Sequence, residues 1–213
     1  MTNGLHPNVH VSTHPLIQEK LTRARDRRTD REAFRNLLAE IAALMVFEFA
    51  RNFPTRPVEV ETPLERAGGA ALAAGITVVP ILRAGLGMAE GVLHLIPNAR
   101  VGHLGIYRDE NTLQPVSYFD KLPPDVAESH VVVVDPMLAT GGSASHAIRV
   151  IKRAGARNIL FLCLVACPQG IGRLTSDHPD VLIYTAAVDR QLNERGFILP
   201  GLGDAGDRLY GTG

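Results

Sequence analysis

The stretch VVVVDPMLATGGSA, Val131 to Ala144, holds the residue types and spacing best suited to chemistry. Four valines in a row read as a buried strand, and that strand ends on an acid, Asp135. Thr140, Gly141, Gly142 and Ser143 follow. They place closely spaced backbone N–H groups and two hydroxyls at an expected helix N-terminus, whose partial positive charge favours a phosphate. Glycine belongs there because a side chain would obstruct the anion or forbid the backbone angles. Asp135, five residues ahead of Thr140, is placed to accept hydrogen bonds from two vicinal hydroxyls, so the two features together describe a ribose 5-phosphate. The plainer alternative is an ordinary strand-to-helix turn with Asp135 as a local cap. A P-loop is excluded, because no lysine follows the glycines.

A second strand-loop-helix run, VPILRAGLGMAEG, spans Val79 to Gly91. Its glycine spacing, G-x-G-x-x-x-G, is one residue too long for the dinucleotide fingerprint, and the acid which that fingerprint needs at a second strand end is missing. Arg83 beside these glycines either grips an anion with its fork while backbone amides close around it, or pairs with a surface acid. Arg108 either carries a cation on an arm that closes over a polyanion, or is a surface hairpin charge. Asp204 and Asp207 either face a metal-bound substrate or serve as turn residues. The basic run LTRARDRRTDRE is either a solvated helix face or the source of one anion-binding arginine at a site edge or subunit contact. The eight histidines show no HExxH spacing, and no nucleophile elbow supports a Ser-His-Asp triad, so zinc and serine hydrolase readings fall away.

These groups need a scaffold that brings strand ends and helix starts to one place. ITVVPI, HVVVVD, ILFLCLVA and VLIYTAAV read as strands apolar on both faces, as in a central parallel sheet covered by helices. The expected fold is α/β, doubly wound and mainly parallel, with ligands bound beyond the carboxyl ends of the strands. Ala144, Ala147, Ile148 and Ile151 give the helix after Gly142 one apolar face, ending near Gly155. Two helices are expected within residues 1–53. One follows a cap at Ser12 or Thr13, and the other is opened by the capping box TDRE, Thr29 to Glu32, and runs to about Asn52. Residues 101–122 read as a β-hairpin arm around a polar turn at Asp109 to Thr112. The glycine-rich end, GFILPGLGDAGDRLYGTG, has Phe197, Ile198, Leu199, Leu202 and Leu209 to anchor it and reads as an ordered loop.

A length of 213 residues suits one domain, 1–213. The 22 basic residues balance 22 acidic ones, which argues against a broad nucleic-acid footprint. No apolar stretch is long enough to span a bilayer, and the start MTNGLHPNVHVSTHPL lacks the regions of a signal peptide. The expectation is a cytoplasmic protein that binds neither membrane nor nucleic acid. Cys163 and Cys167, four apart on one apolar run, are expected on one strand face as core residues, too far apart for a disulfide.

Five stretches in order, HPLIQEKLTRARDRRT, VPILRAGLGM, VGHLGIYRDE, DPMLATGGSA and YTAAVDRQLNERGFILPGLGDAGDRLYGT, resemble the uracil phosphoribosyltransferase family over nearly the whole chain. The resemblance implies transfer of a phosphoribosyl group from phosphoribosyl pyrophosphate (PRPP) to N1 of uracil, yielding UMP and pyrophosphate, with Mg2+ as the metal. By matching position, Arg83 and Arg108 look like pyrophosphate-side contacts. Asp135, Pro136, Met137, Leu138, Ala139, Thr140, Gly141, Gly142 and Ser143 look like the loop for ribose 5-phosphate. Ile198, Gly203, Asp204 and Ala205 resemble the uracil segment within residues 189–213, Asp204 also touching the donor. Arg83, Arg108, Asp135 and Asp204 are thereby the catalytic set. Pro136 stands where the wider class has a second acid, so Mg2+ is expected mainly on substrate oxygens and water. A homodimer or larger homo-oligomer and a GTP effector are further implications. A nucleotide-sensing regulator on the same fold is the alternative reading.

Overall fold

The computed structural model describes residues 6–108 and 115–212. In chain order its strands are β1 (Val9–Val11), β2 (Thr55–Glu61), β3 (Arg66–Leu72), β4 (Ile76–Leu82), β5 (Arg100–Val101), β6 (His103–Arg108), β7 (Pro115–Lys121), β8 (His130–Val134), β9 (Met137–Leu138), β10 (Asn158–Ala166), β11 (Leu182–Val188), β12 (Gln191–Leu192) and β13 (Ile198–Leu199). Its helices are α1 (Pro15–Arg25), α2 (Arg31–Phe49), α3 (Leu86–Leu95), α4 (Gly142–Arg153), α5 (Pro168–Asp177) and α6 (Ala205–Tyr210).

The four apolar runs form the middle of one sheet because each has two faces to bury. Nine strands join it in the order β1-β11-β10-β8-β4-β6-β7, with β5 on β4 and β9 on β10. β6 and β7 pair antiparallel, and the other pairings are parallel. Alternation along β8 divides its valines between two cores. Val132 and Val134 meet Phe34, Leu38, Met88 and Leu209 from α2, α3 and α6. Val131 and Val133 meet Ala144, Ile148 and Leu174 from α4 and α5. Helices on both faces of a parallel sheet make the arrangement doubly wound.

The helix caps differ from expectation. α1 is capped by His14, whose imidazole accepts from the Leu16 N–H, with Pro15 supplying the fixed backbone angle of the first turn. Ser12 instead donates to the Glu48 carboxylate at 2.6 Å. α2 is capped by Asp30, which accepts from the Ala33 N–H at 2.8 Å, and Thr29 donates to the Arg23 carbonyl. The acid is the better acceptor at a helix start, so the boundary moves by one residue. α2 and α3 lie so close that a side chain at Gly91 would run into the Ala39 carbonyl.

Cys163 and Cys167 are both buried and unbridged, but they do not share a face. The N–H groups of Leu164 and Val165 both donate to the Pro136 carbonyl at 3.1 Å. Two residues of β10 thus answer one across the ladder, and this bulge breaks the alternation. Cys163 stays with the α4 and α5 core, whereas Cys167, now the N-cap of α5, enters the other.

β2 and β3 form an antiparallel hairpin of their own, unforeseen in the sequence, with Val60, Leu64 and Leu72 exposed. The expected hairpin of residues 101–122 is β6 and β7, joined to the main sheet through β4. Its turn, Asp109 to Thr112, lies outside the described residues, as does the side chain of Arg108.

Candidate active site

Pro80 of β4 and Leu162 of β10 both lie opposite Val134 of β8, so the segments that follow these strands leave the sheet at one edge. Asp135 comes immediately after β8 and donates its N–H to the Leu162 carbonyl at 3.2 Å. The chain does not turn away at once. Met137 and Leu138 pair with Val165 and Ala166 as β9, which buries Pro136 and Leu138 and leaves Thr140 to Ser143 as the actual turn into α4. Gly141 is the N-cap with φ of +76°, and no side chain caps the helix, so its first N–H groups are left for a ligand. A Cβ on Gly141 would lie 2.8 Å from the Gly170 carbonyl as well as straining the backbone. The start of α5 supports the loop from behind. Cys167 donates its N–H to the Leu138 carbonyl at 3.2 Å and its thiol to the Ala139 carbonyl at 3.0 Å.

On the neighbouring strand, the Leu82–Arg83 peptide is cis. Gly85 is packed beneath it with no room for a side chain against the Val134 carbonyl. Arg83 is exposed, its guanidinium 3.9 Å from Asp207 and 6.0 Å from the centre of the Tyr210 ring. The Tyr210 hydroxyl donates to the Arg83 carbonyl at 3.1 Å. The surface acid that Arg83 meets therefore belongs to α6, the helix that borders the site. Leu82 pairs with Gly105, so β6 carries the backbone of Arg108 to the same edge.

The C-terminal segment completes the arrangement. β12 and β13 form a small antiparallel ladder, after which the Leu199–Pro200 peptide is cis and Gly201 and Gly203 have φ of +64° and +73°. Asp189 joins both ends of this excursion, accepting from Gly201 N–H at 2.8 Å and from both terminal nitrogens of Arg25 at 2.7 and 2.8 Å. Arg25 also donates to the Gly201 carbonyl. The basic run thus supplies an arginine at the site's edge, but it grips an internal acid. Asp204 caps α6 through the Asp207 N–H at 2.9 Å, and Ile198 and Ala205 are buried against the core. The six-residue α6 itself was unforeseen, being too short to show a helical period.

A cavity of about 240 Å3 unites these parts, lined by Asp135, Met137 and Ala139 from one segment and by Ile198, Gly203, Asp204 and Ala205 from the other. Burial pushes the half-buried Asp135 carboxyl up to about 7, the Met137 N–H opposing the shift and the nearby charge of Asp204 adding to it. A larger hollow of about 630 Å3 lies beside β1 and another of about 260 Å3 at the starts of β8, β10 and β11. Neither has a strand-end acid or a glycine turn into a helix. Among the described residues no three His, Cys, Asp or Glu side chains cluster as metal ligands, and no helix is long and apolar enough to cross a membrane.

An acid at a parallel strand end, a glycine turn at a helix N-terminus and an arginine just past the end of the neighbouring strand define a phosphoribosyltransferase. Residues 11–212 match the family described as uracil phosphoribosyltransferase. Over 205 residues, 96% of this chain, the sequence is 58% identical to uracil phosphoribosyltransferase of Dictyoglomus turgidum and 57% identical to that of Bacillus velezensis, covering 99% and 98% of those proteins. The solved structure of the AQ2163 protein from Aquifex aeolicus is 39% identical, with a TM-score of 0.92 over 96% of this chain and 98% of that one. The chain belongs to the uracil phosphoribosyltransferase family.

Proposed function

We propose that this chain transfers the 5-phosphoribosyl group of PRPP to N1 of uracil, forming UMP and pyrophosphate in pyrimidine salvage. The observation that carries the reading is the shared cavity. Asp135, suited to the ribose hydroxyls, and Ile198, Gly203 and Ala205, suited to the base, line one hollow of a size for a sugar and a pyrimidine to meet.

As pyrophosphate departs, the anomeric carbon gains oxocarbenium character and the leaving group gains negative charge. Arg83 and Arg108 oppose that charge, while backbone N–H groups of Thr140 to Ser143 hold the 5-phosphate. Asp135 and Asp204 hold the donor's sugar side, and Pro136 to Ala139 form the backbone floor beneath it. Closing the site to water prevents hydrolysis of the donor. Asp135 and Asp204, two oxygen donors close enough for their charges to interact, suit an ion that keeps water and substrate phosphate in its shell. Mg2+, when bound, neutralises pyrophosphate oxygens further.

Incubation with uracil, PRPP and Mg2+ tests the reading by the appearance of UMP. No UMP, with tight binding of NAD instead, would overturn it. The exposed apolar residues of the β2–β3 hairpin support a homodimer or larger assembly of a cytoplasmic enzyme. Mass in solution tests the assembly, and kinetics with and without GTP test GTP as its effector.

A further inference from the structure

The loop from Asp135 to Ser143 contains no lysine or arginine, so its grip on a phosphate rests on neutral N–H and hydroxyl groups and the helix dipole. A phosphate monoester carries a charge of about −1.5 to −2 near pH 7, more than one helix end balances. A cation from outside the loop reaches this place. Arg173, one turn and a half into α5, has its Nη1 3.4 Å from the point where a Gly142 side chain would begin, and the Thr140 hydroxyl lies 3.7 Å from the same point. The guanidinium and that hydroxyl therefore flank the first residue of α4. Arg173 is partly exposed, and its one acid among the described residues is Asp177, a long contact of 3.7 Å from Nε. The Asp177 carboxylate is already engaged by the Ser145 hydroxyl at 2.6 Å, which holds its proton affinity below the usual carboxylate range. The Nη1 end of Arg173 lies instead beside the glycine turn.

The helix that carries it is held close. Gly170 packs against the Leu138 and Ala139 carbonyls too closely for any side chain, the Arg173 Cβ lies 3.2 Å from where a Gly141 side chain would begin, and Cys167 is hydrogen-bonded to the loop at both its N–H and its thiol. α5 is thus packed directly against the phosphate turn, and the arginine already reaches the turn in this structure.

We propose that Arg173 is a direct contact for the 5-phosphate of PRPP and UMP, a cation contributed by α5 to a loop that has none. The proposal rests on the phosphoribosyl transfer reading above. It assigns Arg173 to the phosphate end only, so its removal is felt by ligands that carry the 5-phosphate and not by pyrophosphate, which binds on the Arg83 side.

The test compares wild type, Arg173→Ala and Arg173→Lys in the intact chain, measuring the KM for PRPP, the dissociation constant for UMP by titration calorimetry and the inhibition constant of pyrophosphate. Arg173→Ala is expected to weaken PRPP and UMP roughly ten- to a hundredfold, the range for a charge-assisted hydrogen bond, with pyrophosphate unchanged. Arg173→Lys, which keeps the charge but loses the fork, falls between the two. Unchanged PRPP and UMP constants in Arg173→Ala overturn the assignment, and so does an equal loss for pyrophosphate, which would mark a structural effect. A wild-type chain that neither makes nor binds UMP overturns the parent reading, whereas a wild type that does both and is matched by Arg173→Ala overturns this inference alone.

Discussion

Arg25 and Asp189 stand 164 positions apart and meet in a two-pronged ion pair, Nη1 to Oδ2 at 2.7 Å and Nη2 to Oδ1 at 2.8 Å. The Asp189 side chain is only 7% exposed, so removing its partner leaves a buried charge with the Gly201 N–H as its remaining hydrogen-bond donor. Arg25→Ala is expected to cost about 3 to 5 kcal/mol of stability and to raise the KM for uracil, because the same arginine holds the Gly201 carbonyl. Denaturant titration and uracil kinetics check both effects. A variant as stable as wild type would show that the pair does not hold the base segment.

Asp135 ties stability to pH in a direction opposed to function. Its carboxyl has a model-compound value of 3.8 and is pushed up to about 7 by burial, so folding binds a proton between those values. The contribution is fully present below 3.8 and is lost as pH rises through about 7. Asp135→Asn is expected to be more stable than wild type above neutrality, by on the order of a few kcal/mol. Turnover should fall sharply in the same variant, because an amide accepts more weakly from the ribose hydroxyls. Wild-type kcat/KM for PRPP should rise with pH through this region, and the asparagine variant should lack that rise. Identical stability profiles or unchanged kinetics would count against the assignment.

Gly141→Ala should damage donor binding more than Gly142→Ala. The first puts a side chain on a left-handed residue and 2.8 Å from the Gly170 carbonyl, whereas the second meets the Arg173 guanidinium at 3.4 Å and the Thr140 hydroxyl at 3.7 Å, ordinary contact distances, with no left-handed backbone to strain. The backbone strain alone is worth about 1 to 2 kcal/mol. Melting temperature and KM for PRPP, measured for both variants, provide the comparison.

The Tyr210 hydroxyl links α6 to the loop that carries Arg83, beside the longer contact of Arg83 with Asp207. Tyr210→Phe keeps the ring and removes a hydrogen bond worth about 0.5 to 1.5 kcal/mol. The expected result is a modest loss of kcat with little change in the KM for uracil. A raised uracil KM with kcat intact would place the residue's influence at the base instead.

Cytosine should be rejected through main chain alone. If a backbone N–H faces uracil O4 and a carbonyl faces N3–H, cytosine would present the reverse pattern, each buried mismatch costing about 1 to 3 kcal/mol. Gly203 and Ala205 suit this use because their side chains do not crowd the ring. Comparable single-turnover rates with both bases would remove the argument.

The strands with apolar residues on both faces were legible, because parallel strands under two helix layers leave no other pattern. The placement of Arg83, Asp135 and Thr140 to Ser143 was legible for a related reason, since each follows a strand whose end local spacing reveals. What escaped was either too short or too distant. β1 is three residues long and is recognisable only beside β11, and the β2–β3 hairpin offers no buried face to set an alternation. The bulge that turns Cys167 to the other core depends on Pro136 across the ladder. Arg25 on Asp189, Tyr210 on Arg83 and Arg173 beside Gly142 join residues that nothing in their own neighbourhoods connects.

The ion pair between Arg25 and Asp189 also sets an order of events during synthesis. α1 emerges from the ribosome long before its acid, and the base segment emerges after that acid. A chain that has built the glycine turn at α4 therefore still lacks the segment that carries Ile198, Gly203 and Ala205. Closing so long a loop carries an entropic cost that a helix or a turn, being local, does not. The segment around Gly201 is thus anchored by a residue made long before it, and it docks onto a helix that the chain already carries.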